Sequence, residues 1–265
     1  MRPLELILFE TDPVRAIAAR TQGVSSFIFD VESRGKGDRQ RNFNTDIAAS
    51  SLDELSTFVA TVGIQPICRL DSLHNRTIDD VERAIAGGAC ELIFPMVRTV
   101  AEVEHLLSVV GTRVPIGIMI ETKEILDCLP EISRMPLSRV YVGLNDLMIS
   151  SGGSNLFEPM INGTVDSIRD QVGSLRFGIA GATRVDCGHP VPCRLLLADL
   201  ARLGADFTML RRSFRRDVKS DEIGPVIQSI SIHWQDLHAR TPSEISRDRA
   251  AFTAVVAGLG SEPSQ

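Results

Sequence analysis

The sequence predicts an α/β fold, a (β/α)8 TIM barrel with an extra C-terminal helix. Three observations carry that reading. Eight short apolar runs rich in β-formers punctuate the chain, amphipathic segments of helical period lie between them, and glycines fall just ahead of the strands.

The runs cover residues 4–9, 26–31, 65–70, 91–95, 115–120, 139–143, 176–180 and 206–210. Two central ones, Ile116-Gly117-Ile118-Met119-Ile120 and Val140-Tyr141-Val142, are continuously apolar rather than alternating, as parallel strands buried on both faces must be. Of the segments between them 99–110 is the clearest helix: Val100, Val103, Leu106, Leu107 and Val110 recur near i, i+3, i+4, i+7 and leave one wet face. Gly23, Gly63, Gly87-Gly88, Gly111 and Gly204 stand where a helix stop takes a left-handed residue. Eight strands, each followed by a helix, in about 240 residues favour a closed barrel over an open doubly wound sheet. After the eighth strand a helical stretch at 222–239 is followed by Thr241-Pro242-Ser243-Glu244, a helix start with Pro at its first position. The helix it opens runs to about Ala257, and 258–265 read as a frayed end. The division expected is a barrel over 1–239 and a helix and tail over 240–265. That last helix exceeds the ring's need and carries Ile245, Phe252, Val255 and Val256, so a homo-oligomer formed through it is expected.

Composition narrows the function classes. The 265 residues carry 28 Lys+Arg against 34 Asp+Glu, a net charge of −6, with one Trp and one Tyr. Such a chain has neither the basic stripe nor the stacking aromatics that nucleic-acid binding needs. The N-terminal run is too short and too interrupted by acids for a signal peptide, and the longest apolar stretch, 114–120, falls far short of the roughly 20 residues that span a bilayer. Five cysteines, Cys68, Cys90, Cys128, Cys187 and Cys193, are an odd and scattered set that reads as reduced thiols. A cytoplasmic protein with no membrane partner is expected.

Catalytic residues of such a barrel stand at the C-terminal ends of strands. The second run ends in Asp30-Val31-Glu32 and leads into Ser33-Arg34-Gly35-Lys36-Gly37-Asp38-Arg39-Gln40-Arg41, too charged for a mere turn. The third ends at Arg69-Leu70-Asp71, the fifth at Glu121, and the sixth at Gly143-Leu144-Asn145-Asp146. Glu121 and Asp146 follow adjacent strands at equal height, and two hard oxygen ligands with open positions suit Mg2+ or Mn2+. The bland reading makes both acids helix caps or first-turn dipole partners. Arg69 closes an apolar run and points into the mouth, where it would meet a carboxylate or enolate, or else pair with Glu121 or Asp71. Gly143, Leu144 and Asn145 place successive backbone N–H groups at a strand-to-helix turn, a nest for a substrate carboxylate. His189 and His74 are possible acid–base groups, each more often a surface histidine. Cys187, His189 and Cys193 lack the paired spacing of a structural zinc site. The loop 150–155 is flexible enough for a lid, with a plain linker as the alternative.

The motifs Leu92-Ile93-Phe94-Pro95-Met96-Val97, Ile118-Met119-Ile120-Glu121-Thr122 and Val140-Tyr141-Val142-Gly143-Leu144-Asn145-Asp146-Leu147 together resemble the HpcH/HpaI aldolase and citrate lyase β-subunit superfamily of (β/α)8 barrels. The resemblance implies that Glu121 and Asp146 bind a divalent metal, that Arg69 contacts a bound oxo acid, and that amides of Leu144 to Asp146 hold its carboxylate. Two positions depart from the aldolase pattern: Ser33 stands where that branch has a catalytic His, and Met119 where many members have glutamine. Asp30 and Glu32 then become candidate catalytic groups. The expected activity is a carbon–carbon lyase or aldolase that works through the enolate of pyruvate or a similar 2-oxo acid, with an aldehyde as partner substrate. The alternatives are a citrate-lyase-like enzyme on a CoA thioester gripped by Arg34, Lys36, Arg39 or Arg41, and a barrel without chemistry that serves as a binding or assembly subunit.

Overall fold

A computed structural model describes residues 3–34 and 50–259. Its eight strands are β1 (Glu5–Phe9), β2 (Ser26–Asp30), β3 (Ile67–Arg69), β4 (Glu91–Phe94), β5 (Ile116–Ile120), β6 (Arg139–Val142), β7 (Arg176–Ile179) and β8 (Phe207–Leu210). All pair in parallel in chain order, and β1 closes on β8. Each expected run became a strand, shortened by one residue or, for the run 65–70, by three.

Two apolar cores result from the pleat. Ile7, Phe9, Ile28, Ile67, Ile93, Met119, Tyr141, Phe207 and Met209 point inward and fill the barrel. The alternate residues, among them Leu8, Phe27, Phe29, Leu92, Val140 and Phe177, point outward and pack against the helices. A Cβ on Gly178 would stand 2.5 Å from the Phe207 ring and backbone, so a bare glycine in β7 makes room for the largest interior ring. The barrel's lower end is closed by charge. Arg139 donates to Glu91 at 2.8 Å and to Glu5 at 3.1 Å, its guanidinium 5.0 Å over the Phe207 ring, while Arg176 also pairs with Glu5. Burial raises the Glu5 pKa, but Arg139, Ser26 and Arg176 outweigh it and hold the carboxyl below its ordinary value.

The helix Val100–Val110 starts with a capping box between Thr99 and Glu102 and buries Val103, Leu106 and Val110, as its period requires. The C-terminal helix Pro242–Leu259 lies on the helix Cys193–Arg202 of the same chain. Phe252 and Val256 are fully buried there, and Ile245 and Val255 half-buried. Phe252 and Val256, with Val255 packed against them, therefore meet a partner surface within the chain, where the helix folds back over the ring. Arg249 fastens it to Asp199 (2.9 Å) and Asp166 (3.3 Å), and Arg240 to Asp248 (2.7 Å) and the Ala198 carbonyl (3.0 Å). All five cysteines are free, and among the described residues no helix is long and apolar enough to cross a membrane.

Candidate active site

At the C-terminal ends of the strands opens a cavity of about 500 Å3. Arg69, Glu121, Gly143, Leu144, Asn145 and Asp146 all line it, so six of the eight expected site residues come together. Asp30 and Glu32 do not line it. They lie behind Arg69, whose guanidinium donates from Nε to Asp30 Oδ1 (2.8 Å) and from Nη2 to Asp30 Oδ2 (2.6 Å), and pairs through Nη1 with Glu32 Oε2 (3.0 Å). The ion pair foreseen for Arg69 exists, but with these acids of the strand-two end rather than with Glu121 or Asp71. The register decides this: Asp30 stands opposite Arg69 across β2 and β3. Burial works against the Arg69 charge, yet Asp30 and Glu32 hold its pKa well above the ordinary value. One edge of the guanidinium thus spends its donors on Asp30, and the group is fixed in one orientation.

Glu121 directly follows β5, is 3% exposed, and accepts a hydrogen bond at Oε2 from the Met96 N–H (3.1 Å). Met96 is the only non-glycine residue with positive φ (57°) among those described, a conformation that costs on the order of 1 kcal/mol and here aims an amide at the carboxylate. Burial first, then the charges of Asp146 and Glu32, push the Glu121 pKa up to about 8, while Arg69 pulls it down. Gly143 makes the approach possible, because a Cβ there would stand 2.3 Å from Glu121 Oε1. Asp146 occupies the first turn of the short helix Leu144–Ser150, with Gly143 as N-cap. The first-turn role foreseen for Asp146 is therefore real, and it coexists with a place on the cavity wall. Glu121 caps nothing, since the next helix takes Thr122 as its N-cap. The Asn145 side-chain nitrogen is buried without a hydrogen-bond partner.

Other candidates fall elsewhere. His74 pairs with Asp80 (3.1 Å) and accepts from the Arg76 N–H, away from the cavity, whereas His189 lines it. Among the described residues no three His, Cys, Asp or Glu are grouped as a metal site. The Cys193 thiol bonds instead to the backbone of Thr183. The loop 150–155 is tied at both ends, by Ser150 accepting from the Lys123 N–H and by Asn155 donating to the Val256 carbonyl. Arg34 is 3.6 Å from Asp71, which also accepts from the Ser33 and Arg34 amides, while Lys36, Arg39 and Arg41 lie outside the described residues. Of two further cavity residues, Arg211 directly follows the eighth run, a strand end like the others, and Tyr141 carries no signal in sequence patterning. Arg211 shares the Phe9 ring with Arg69, their guanidinium carbons 4.7 and 5.1 Å from its centre, and Tyr141 rises from the barrel interior to line the same cavity.

No family model matches the chain. Solved structures do. The citrate synthase SbnG superposes with a TM-score of 0.59 at 18% identity, over 98% of this chain and 96% of that one. An HpcH/HpaI aldolase/citrate lyase family protein from Burkholderia cenocepacia gives 0.59 at 14%, over 89% and 95%. A citrate lyase from Burkholderia xenovorans gives 0.59 at 11%, over 100% and 96%. At these identities the likeness is one of fold: the chain has the barrel of the HpcH/HpaI aldolase and citrate lyase proteins. A curated sequence, the large ribosomal subunit protein uL3 of Saccharolobus solfataricus, is 28% identical over 111 residues, 42% of this chain. The matched segment is 29% of that protein, so the chain spans under a third of its length.

Proposed function

We propose that this barrel is a divalent-metal-dependent lyase or aldolase that forms or consumes the enolate of pyruvate or a similar small 2-oxo acid. The observation that carries the reading is Glu121 beside Asp146 on one cavity wall. Burial, and after it the negative charges of Asp146 and Glu32, push the Glu121 pKa up to about 8, which is the state of a buried acid site short of positive charge. Two protein oxygens and no third grouped ligand suit Mg2+ or Mn2+, which draws its remaining ligands from substrate and water. When bound, the ion would supply Lewis-acid polarisation of the substrate oxygen.

The chain's own groups do the rest. Arg69, held rigid by Asp30 and Glu32, presents fixed positive charge to a developing oxyanion, which costs no reorganisation at the moment of reaction. Asp30 and Glu32 act through it as positioning residues. The fold shared with aldolases and citrate lyases supports the reaction class. Two measurements test it. Calorimetric titration with Mn2+ should show binding to the wild type and at least tenfold weaker binding to Glu121→Gln and to Asp146→Asn; unchanged affinity in both variants removes the metal site. Pyruvate C3 protons should exchange with deuterated water only when Mn2+ is present. A barrel retained for assembly alone would do neither.

A further inference from the structure

We propose that Tyr141 is a catalytic residue of this site: its hydroxyl donates a hydrogen bond to the substrate oxygen on which negative charge develops as the enolate forms, alongside Arg69. The inference rests on the enolate reading above and names a group that reading does not use.

Tyr141 belongs to the inner core, 5% exposed, on β6 with Met119 of β5 on one side and Gly178 of β7 on the other. Gly178 brings no side chain to compete for the space, and Met119 sets its sulfur 3.8 Å from an Arg69 nitrogen. The ring therefore stands in the floor of the cavity it lines. Among the described residues its hydroxyl makes no hydrogen bond, yet it is not one of the sealed orphan atoms, so the oxygen opens to the cavity. A phenol buried in an apolar barrel almost always finds a polar partner. A molecule that enters the cavity can supply that partner.

The charges around the ring fix which role it plays. Burial pushes its pKa up to about 12, with Arg211 and Arg69 pulling down and Glu121 and Asp146 pushing up. Such a phenol stays protonated at neutral pH, so it donates rather than takes a proton. It keeps that proton throughout: the electron pair of the broken C–H bond passes to the substrate oxygen, and the carbon's proton leaves to solvent. Three of the four groups that act on the ring, Arg69, Glu121 and Asp146, are those assigned above to oxyanion and metal, and all three line the same cavity as Tyr141.

The test compares wild type and Tyr141→Phe. With saturating Mn2+ and pyruvate, exchange of the C3 protons should slow on the order of a hundredfold in kcat, as loss of one oxyanion donor does, with Mn2+ affinity and melting temperature preserved. A structural role would move the melting temperature and not the rate. The chain has a single tyrosine, so binding of oxalate with Mn2+ should perturb the tyrosine ultraviolet band in wild type and give no such signal in Tyr141→Phe. Exchange within twofold of wild type, or an oxalate complex that leaves that band unchanged, overturns the assignment and leaves the enolate reading standing. A wild type that neither binds Mn2+ with oxalate nor exchanges overturns both.

Discussion

Gly143 shows how little tolerance the site has. A single methyl there would stand 2.3 Å from Glu121 Oε1, so Gly143→Ala must turn the carboxylate away from Asp146. The expected result is a loss of Mn2+ affinity of roughly tenfold or more, read by calorimetry, in a chain that still folds. Arg69 separates charge from shape. Its fork is bidentate on Asp30, which a lysine cannot reproduce, so Arg69→Lys should retain metal but lose about 2 to 4 kcal/mol of transition-state stabilisation. Exchange of pyruvate protons within twofold of wild type would argue for a neutralising role alone, since twofold is only ~0.4 kcal/mol. These residues were legible because a barrel puts chemistry at strand ends, and a charged residue closing an apolar run is visible in one dimension. Tyr141 was not. Inside a fully buried strand every residue is apolar whichever way it points, so nothing in Val140-Tyr141-Val142 says which side chain faces the mouth. The Asp30–Arg69 pairing likewise needs the register between neighbouring strands.

At the level of elements, the strands were read to within two residues at either end and the C-terminal helix was found, but not the surface its apolar face meets within the chain. Amphipathicity reports that a face is buried, not against what. Phe252 and Val256 bury themselves on the helix Cys193–Arg202, and the same helix accepts the Asn155 amide through the Val256 carbonyl. Leu156 and Phe157, next in the chain, line the cavity. The helix is thus coupled to the site wall through one short loop. Phe252→Ala should cost about 3 to 5 kcal/mol of stability by denaturant unfolding, the usual price of emptying a buried aromatic position. Asn155→Ala is the milder probe, expected to weaken oxalate binding more than it lowers stability. Equal oxalate affinity in Asn155→Ala and wild type would show that the loop is held well enough without the helix.

For the molecule as a whole, the two ends of the barrel respond to pH in opposite senses. At the lower end Glu5 is held below its ordinary pKa of 4.5 despite burial, by Arg139, Ser26 and Arg176. Its contribution is present above that value and is lost as pH falls through the folded pKa, when the native state must take up a proton against its arginines. At the upper end Glu121 is raised from 4.5 to about 8 by burial and by its acidic neighbours. Between those two values the unfolded chain binds fewer protons than the native one, so stability declines as pH rises across the window and levels off above it. The metal-free protein is therefore expected to melt at a higher temperature near pH 5 than near pH 8. On the proposed reading Mn2+ would bind the ionised carboxylates of the folded state only, so saturating metal should raise the melting temperature most at pH 8 and flatten the slope. Glu121→Gln supplies the control, because an amide has no proton to lose: it should abolish most of the decline and most of the metal response together. A wild-type melting temperature that stays flat from pH 5 to 8, or a slope that Glu121→Gln leaves unchanged, would mean that the charge shortage lies elsewhere, and the cavity would lose its strongest claim to a cation.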